Sequence, residues 1–436
     1  MKRIIVGESG GPTPVIDAAV AGVLDRSRRA GVEVWGMLNG LEGLLYANID
    51  GNVVDLSRID PYSFLFNGPG AGLGTTRIKP KPDQYQRMSR HLELMGVDGV
   101  VYIGGNDSAD QLRGLTEISG IKGIHAIKTV DNDLPETHHC PGFGSAALYN
   151  ATALKNVCND FLSYRVWNNF RRGGEVKPGL SVAPVVIYQV MGRSAGWLAQ
   201  AAAFAKVDPR GELVPDNPPH MILSKEIPFE RDRFLTELEK VLSRLGNAVI
   251  VVQEDLTDKA GGQDLARLHS RDTVADAHGN IQYGRATSFS TAIFLAQLVR
   301  SELKVKAVPG KVKEVVLNPQ HVQRSFMASP VDASESFQVG WSAAEALLSG
   351  LTGKSVVLER KDGRTKTGLA SLDKIAARAR VVPPEFIDGW NGPSQKFIDE
   401  FIYLIGGPLG IPHYLSRRFP AVAAPEWIKN HPYTQD

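Results

Sequence analysis

The chain has 436 residues, 43% of them hydrophobic, and 49 basic against 47 acidic side chains give it a formal charge of +2. That length supports a large core split over two or three domains, and the composition excludes a disordered chain. The even charge balance creates no global field for nucleic acid or a membrane surface, and two cysteines, Cys140 and Cys158, are too few for a disulfide framework or a four-cysteine metal site.

Arg3 to Gly7 reads as a first strand, and a helix runs from the following prolines to Arg29 with Val15, Ala18, Ala19, Ala21 and Val23 on its apolar face. The start MKRIIVGESGG holds too short an apolar stretch for a signal peptide. No apolar run approaches the ~20 residues of a membrane span, so a cytoplasmic location is expected. Between strand and helix lies Glu8-Ser9-Gly10-Gly11-Pro12-Thr13-Pro14, a turn that can present backbone N–H groups to an anion, with Gly11 the best donor. Val32 to Met37 is a second strand. The glycine-rich loop Gly68 to Arg77 ends on an arginine within reach of a phosphate.

A helix across Gln84 to Leu94 precedes the strand Val100 to Ile103, which ends in Gly104-Gly105-Asn106-Asp107-Ser108 before another helical pattern. Here a glycine pair admits a phosphate to backbone N–H groups, and the helix N-terminus adds partial positive charge. The strand Ile124 to Ile127 ends in Lys128-Thr129-Val130-Asp131-Asn132-Asp133, which places one ammonium and two carboxylates within six residues. These groups suffice for a base, a metal ligand and a phosphate clamp.

Beyond Ala147 a helical segment to Tyr164 leads into a basic insertion, Arg165 to Lys177. Its Trp167, Arg171 and Arg172 form a small patch without the repetition that nucleic-acid binding requires. Ser181 to Val190 is a strand ending in Met191-Gly192-Arg193-Ser194-Ala195-Gly196, with a helix to Ala205. Later strands are His220 to Leu223, ending at Glu226, and Ala248 to Val252, ending at Glu254; Glu314 to Leu317 leads toward His321 and Arg324, and a helix covers Ser334 to Leu348. Strands alternating with helices predict doubly wound α/β sheets with ligands at the carboxyl ends of the strands.

Three local motifs point elsewhere and fail on context. Gly7 to Gly11 and Gly192 to Gly196 both match G-x-S-x-G. A proline interrupts the first helix start, and Arg193 would compete for the second site, although His321 or His413 would satisfy the triad order. Gly353-Lys354-Ser355 lacks the first glycine of a phosphate-binding P-loop, since Leu348 stands there. His138 and His139, as neighbours in an extended chain, are expected to point to opposite sides and form a loop or subunit contact rather than a shared metal site.

Taken together, GGNDS, KTVDNDLPETHHCPGFGSA, QVMGRSAGWLA, SKEIPF and HVQR, in this order, resemble the phosphofructokinase family over roughly residues 3 to 350. The resemblance implies two doubly wound, Rossmann-like α/β subdomains with the active site in the cleft between them, plus a C-terminal extension. Its expected boundaries are 1–145 for the phosphoryl donor, 146–324 for the sugar phosphate, and 325–436 for C-terminal helices completing the subdomains with an extension. Mg²⁺ is the implied cofactor, a homodimer or homotetramer the implied assembly, and glycolysis the setting.

The family likeness also implies roles. Asp131 resembles the general base for the sugar 1-hydroxyl, and Asp133 a metal ligand, direct or through water. Thr129, Met191, Gly192 and Arg193 resemble sugar-phosphate contacts, with Arg193 also bracing the transferring phosphoryl. Glu226 resembles the acceptor for sugar hydroxyls, and His321 with Arg324 the 6-phosphate clamp. Gly11, Arg77, Gly105, Asp107 and Lys128 fall on the donor side.

The family divides over ATP or pyrophosphate, and the loops after two strands hold the relevant residues. ATP-using members typically carry GGDGS and a glycine before TIDND; this chain has GGNDS and Lys128. Asp107 in place of glycine adds bulk and negative charge where a nucleotide's α-phosphate would pass. Like charges ~4 Å apart repel by about 4 kcal/mol at an effective dielectric of 20. Lys128 supplies a cation for a compact donor. Asn106, where many members place a metal-binding aspartate, retains an amide oxygen for the metal. The expected reaction is reversible transfer from pyrophosphate to fructose 6-phosphate; the alternatives are an ATP-dependent phosphofructokinase and a non-catalytic sugar-phosphate binding subunit. The strand before Met191 lacks the arginine that bacterial ATP-dependent members extend into a neighbouring subunit, so that sharing is not expected to carry over.

Overall fold

A computed structural model describes residues 1–61, 70–170, 182–245, 247–269, 290–303, 311–319, 321–324 and 327–409. Among them the strands are β1 (Arg3–Glu8), β2 (Glu33–Met37), β3 (Val53–Asp55), β4 (Gly99–Gly104), β5 (Lys122–Ile127), β6 (Val182–Val190), β7 (Met221–Leu223), β8 (Ala248–Gln253), β9 (Lys311–Leu317), β10 (Lys354–Lys361) and β11 (Arg364–Ser371). They form one sheet ordered β11-β10-β5-β4-β1-β2-β3 and another ordered β7-β8-β6-β9. β4 and β8 are buried along their whole length. Their unbroken apolar runs are what a parallel strand covered on both faces requires.

β1 pairs in parallel with β2 on one side and β4 on the other. The strand order therefore reverses beside β1, and the crevice of an open α/β sheet lies at such a reversal. The two glycine-bearing turns, after β1 and after β4, flank it. In the second sheet β6 occupies the equivalent place, between β8 and β9. The expectation of two Rossmann-like lobes is met.

Helices Ile16–Arg29 and Pro330–Leu348 cross backbone against backbone. A Cβ on Gly22 would overlap the Phe337 carbonyl, and one on Gly340 would overlap the Ala19 carbonyl. Ser336 Oγ donates to Val15 O at 2.7 Å, tying the second helix to the entry of the first. Helix Pro330–Leu348 begins four residues earlier than the periodicity indicates, because Ser329 caps it and Pro330 suits its first turn.

Where C-terminal helices are expected, the chain also makes the antiparallel hairpin β10–β11, which extends the first sheet through β10 beside β5. The apolar run of β10 is only three residues long, Val356-Val357-Leu358, and β11 is largely polar. Past it, helix Gln395–Phe401 packs Phe397 and Phe401 against Trp197 in the core of the second lobe. The C-terminal third thus touches both lobes. Of the basic insertion, Arg171 and Arg172 lie outside the described residues, as does His413.

The histidine pair departs from expectation. The chain turns at Glu136, which has φ +62°, and bends at His138, and the rings meet, with the two Nδ1 atoms 2.8 Å apart. His138 Nε2 reaches Glu400 at 2.7 Å and His139 Nε2 reaches Glu335 at 2.6 Å. The pair is a contact within one chain that joins two helices to the loop after β5.

Candidate active site

The carboxyl ends of the two sheets face a cleft with about 670 Å³ of free space, part of it open to solvent. Gly11, Arg77, Gly105, Asn106, Asp107, Lys128, Thr129, Asp131, Asp133, Arg193 and Arg324 all line it. Six loops, dispersed over more than 300 residues of sequence, contribute these groups.

On one wall the turn after β1 is held by its own backbone: Ser9 N donates to Ile103 O at 2.9 Å and Gly10 N to Thr76 O at 3.2 Å. Gly10 has φ +77°, and a Cβ on Gly11 would stand 2.7 Å from Arg324 Cζ. Gly11 is therefore the position that lets the Arg324 guanidinium lie on the turn. Lys128 comes from beneath, its Nζ donating to Ser9 O at 2.9 Å and Gly11 O at 2.7 Å. Burial, then the nearby Arg324 charge, lower Lys128 from its usual 10.5 to about 7.

The turn after β4 is equally tight. A Cβ on Gly104 would overlap Ser108, because helix Asn106–Ser119 starts at once. Asp107 sits in the first turn of that helix. Asn106 Oδ1 accepts from Asp107 N at 2.9 Å, and its Nδ2 donates to Arg378 O at 3.2 Å. Both ends of this amide are thus engaged by protein.

The facing loop carries the acids. Thr129 Oγ1 accepts from Asp131 N at 3.1 Å, which fixes the turn. Asp131 Oδ1 is buried without a hydrogen-bond partner, an acceptor aimed at whatever fills the cleft. Burial, with Asp131 nearby, raises Asp133 to about 7, against the pull of Arg193 and Arg380. Glu254, one residue past β8, is raised to about 7 by burial and by Asp131, while Arg193, Arg324 and Arg77 pull it down. Glu254 has no role in the sequence analysis and is not among the residues lining the cleft; its link to them is through charge, and its place just beyond an apolar strand is the available signal.

Other expected residues stand elsewhere. Met191 is buried in the core of the second lobe, and its N–H donates to Gln323 Oε1 at 3.2 Å. Gly192, at φ +115°, supports the turn, since a Cβ would come 2.7 Å from Ala195 O; its consequence is the placement of Arg193. Glu226 Oε1 accepts from Gly196 N at 2.9 Å and Val382 N at 3.0 Å, and its Oε2 is buried without a partner. His321 is exposed and lies outside the cleft lining, whereas Arg324 is within it.

A divalent cation fits this chemistry. Asp133 is a buried carboxylate whose proton affinity is raised by burial and by the Asp131 charge, and a cation would relieve both. Among the described residues no group of three His, Cys, Asp or Glu side chains could hold a metal. One or two carboxylates completed by substrate oxygens is the usual arrangement for Mg²⁺.

A family model described as Phosphofructokinase matches residues 3–166 and 179–347. A pyrophosphate–fructose 6-phosphate 1-phosphotransferase of Rhodospirillum rubrum is 32% identical over 88% of this chain and 89% of its own. One of Xanthomonas campestris is 32% identical over 98% of this chain and 99% of its own. The crystal structure of a pyrophosphate-dependent phosphofructokinase from Nitrosospira multiformis superimposes with a TM-score of 0.75 at 26% identity, covering 95% of this chain and 94% of that one.

Proposed function

Since the chain belongs to the phosphofructokinase family, we propose that it transfers a phosphoryl group reversibly from pyrophosphate to the 1-hydroxyl of fructose 6-phosphate, giving fructose 1,6-bisphosphate and phosphate. The carrying observation is the pairing of Asp107 on the cleft wall with Lys128 pinned under the glycine turn. A small, densely charged donor gains from the lysine, and a nucleotide meets the aspartate. Relatives with the pyrophosphate-dependent name, alike over most of their length, support the same reading.

In this mechanism the sugar O1 attacks the terminal phosphorus of pyrophosphate as the bond to the leaving phosphate breaks. Asp131 Oδ1, unpartnered, takes the hydroxyl proton, a contribution of ~10²–10⁴ in rate. Arg193, Arg324 and Lys128 bring positive charge to the phosphoryl oxygens, where positioning and electrostatics supply most of the catalysis. Asp133 would hold Mg²⁺, which when bound would supply charge neutralisation for the phosphoryl oxygens. Asn106 would bear on the metal only through an oxygen already shared with Asp107 N–H. Glu254, close in charge to Asp131, is proposed to accept from a sugar hydroxyl, and Glu226 to anchor the loop bearing Arg193. We further place the enzyme in the cytoplasm as a homodimer or homotetramer; among the described residues no helix is long and apolar enough to cross a membrane.

Fructose 1,6-bisphosphate formation by the purified protein with Mg²⁺ and either donor tests the proposal. Turnover is expected with pyrophosphate and little with ATP, and Asp107→Gly should raise the ATP rate. Fast turnover with ATP and none with pyrophosphate would sink the donor assignment.

A further inference from the structure

We propose that Arg380, beyond the end of the family match at residue 347, is the positioning residue for the loop that carries Asp131 and Asp133. The role rests on the phosphoryl-transfer reading above. Its guanidinium is nearly surrounded by acceptors from that loop. Nε donates to Asn132 O at 3.2 Å, Nη2 to Asn132 Oδ1 at 3.2 Å and to His138 O at 2.8 Å, and Nη1 to Thr137 O. The Arg380 backbone N–H donates to Asp133 O at 2.7 Å.

These bonds act on an unusual piece of chain. Asn132, between the two aspartates, has φ +54°, a left-handed conformation that is held only where surrounding contacts over-determine it. Arg380 grips both its carbonyl and its side chain. That backbone turn sets the relative directions of the Asp131 and Asp133 carboxylates. A guanidinium suits the task because its donors lie in a rigid plane; an ammonium presents three donors from a point.

The same segment also reaches the other wall. The Arg380 guanidinium lies 4.6 Å from the centre of the Trp197 ring, at the start of the helix that follows the Arg193 turn. Two residues on, Val382 N donates to Glu226 Oε1, which also takes Gly196 N. One short stretch thus couples the base-bearing loop of the first lobe to the arginine-bearing loop of the second. Displacement of a reacting group by ~1 Å is worth about 10² in rate.

The test compares full-length Arg380→Lys and Arg380→Ala with the wild type in the pyrophosphate assay. Both variants are expected to lose about 100-fold in kcat while the KM values for both substrates stay within about threefold. Added guanidinium ion should restore part of the kcat of Arg380→Ala, and methylammonium should not. Arg380→Lys turning over within about twofold of wild type would overturn the proposal, as would a loss that appears in KM alone or that guanidinium fails to rescue. If Arg380→Ala does not fold, Arg380→Gln carries the same rescue test. A wild type inactive with either donor would instead refute the phosphoryl-transfer reading.

Discussion

Lys128 shows how a site residue can be legible in kind but not in state. Its place at the end of an apolar strand, ahead of two aspartates, marks it as a cation for an anionic ligand. Only the folded chain buries it under the β1 turn and brings Arg324 close, lowering it to about 7. The consequence has a definite sign. The free protein loses this proton as pH rises through about 7, whereas bound pyrophosphate favours the charged form. Above pH 7, kcat/KM for pyrophosphate is expected to fall by about tenfold per unit, while kcat, which reports the loaded site, holds to higher pH. Lys128→Met should bind pyrophosphate weakly and lack that alkaline limb. An unchanged limb in the variant would assign the titration to another group. Met191 and His321 are the opposite case. Both stood within motifs of the right kind, yet one side chain turns into the core and the other to solvent, because a motif's residues on one turn leave in several directions.

At the scale of elements, the strands that position the cleft are legible to within a few residues, since most carry an apolar run ended by glycine or a polar turn. Their partners were not. Helix Ile16–Arg29 announces itself by apolar spacing, but its contact with Pro330–Leu348 depends on two glycines some 300 residues apart. Gly340→Ala is therefore expected to destabilise by about 1–3 kcal/mol or more, since the new Cβ falls on the Ala19 carbonyl and backbone cannot swing aside. Thermal unfolding reads this directly, as a midpoint lower by several degrees. An unaltered midpoint would mean that the helices have room to separate. The hairpin β10–β11 escaped the sequence reading for a related reason: it gains its stability by joining the edge of a sheet whose other strands lie more than 200 residues upstream.

For the whole molecule, the metal offers the clearest contrast between fold and chemistry. Asp133 is the carboxylate proposed to ligate the cation, and no group of three His, Cys, Asp or Glu side chains among the described residues could hold one, so most of its coordination would fall to the substrates. Chelation is expected to abolish turnover reversibly, with activity regained on adding Mg²⁺, and to leave the thermal midpoint within about a degree. A midpoint that drops sharply with chelator would show a structural metal, since a metal bound only to the native state stabilises it. The amino-acid sequence alone determined the class of fold, the order of the loops that face the cleft, and the chemical kinds they carry, because strands, glycine turns and helix starts are set by neighbours along the chain. Which of those groups converge was decided by tertiary structure: Arg324 against Gly11, Glu254 within reach of the Asp131 charge, Arg380 on the Asn132 turn between the two aspartates. Residue spacing carries no record of such meetings, for they depend on how two sheets and a returning C-terminal segment pack, and burial then sets the charge each group can hold.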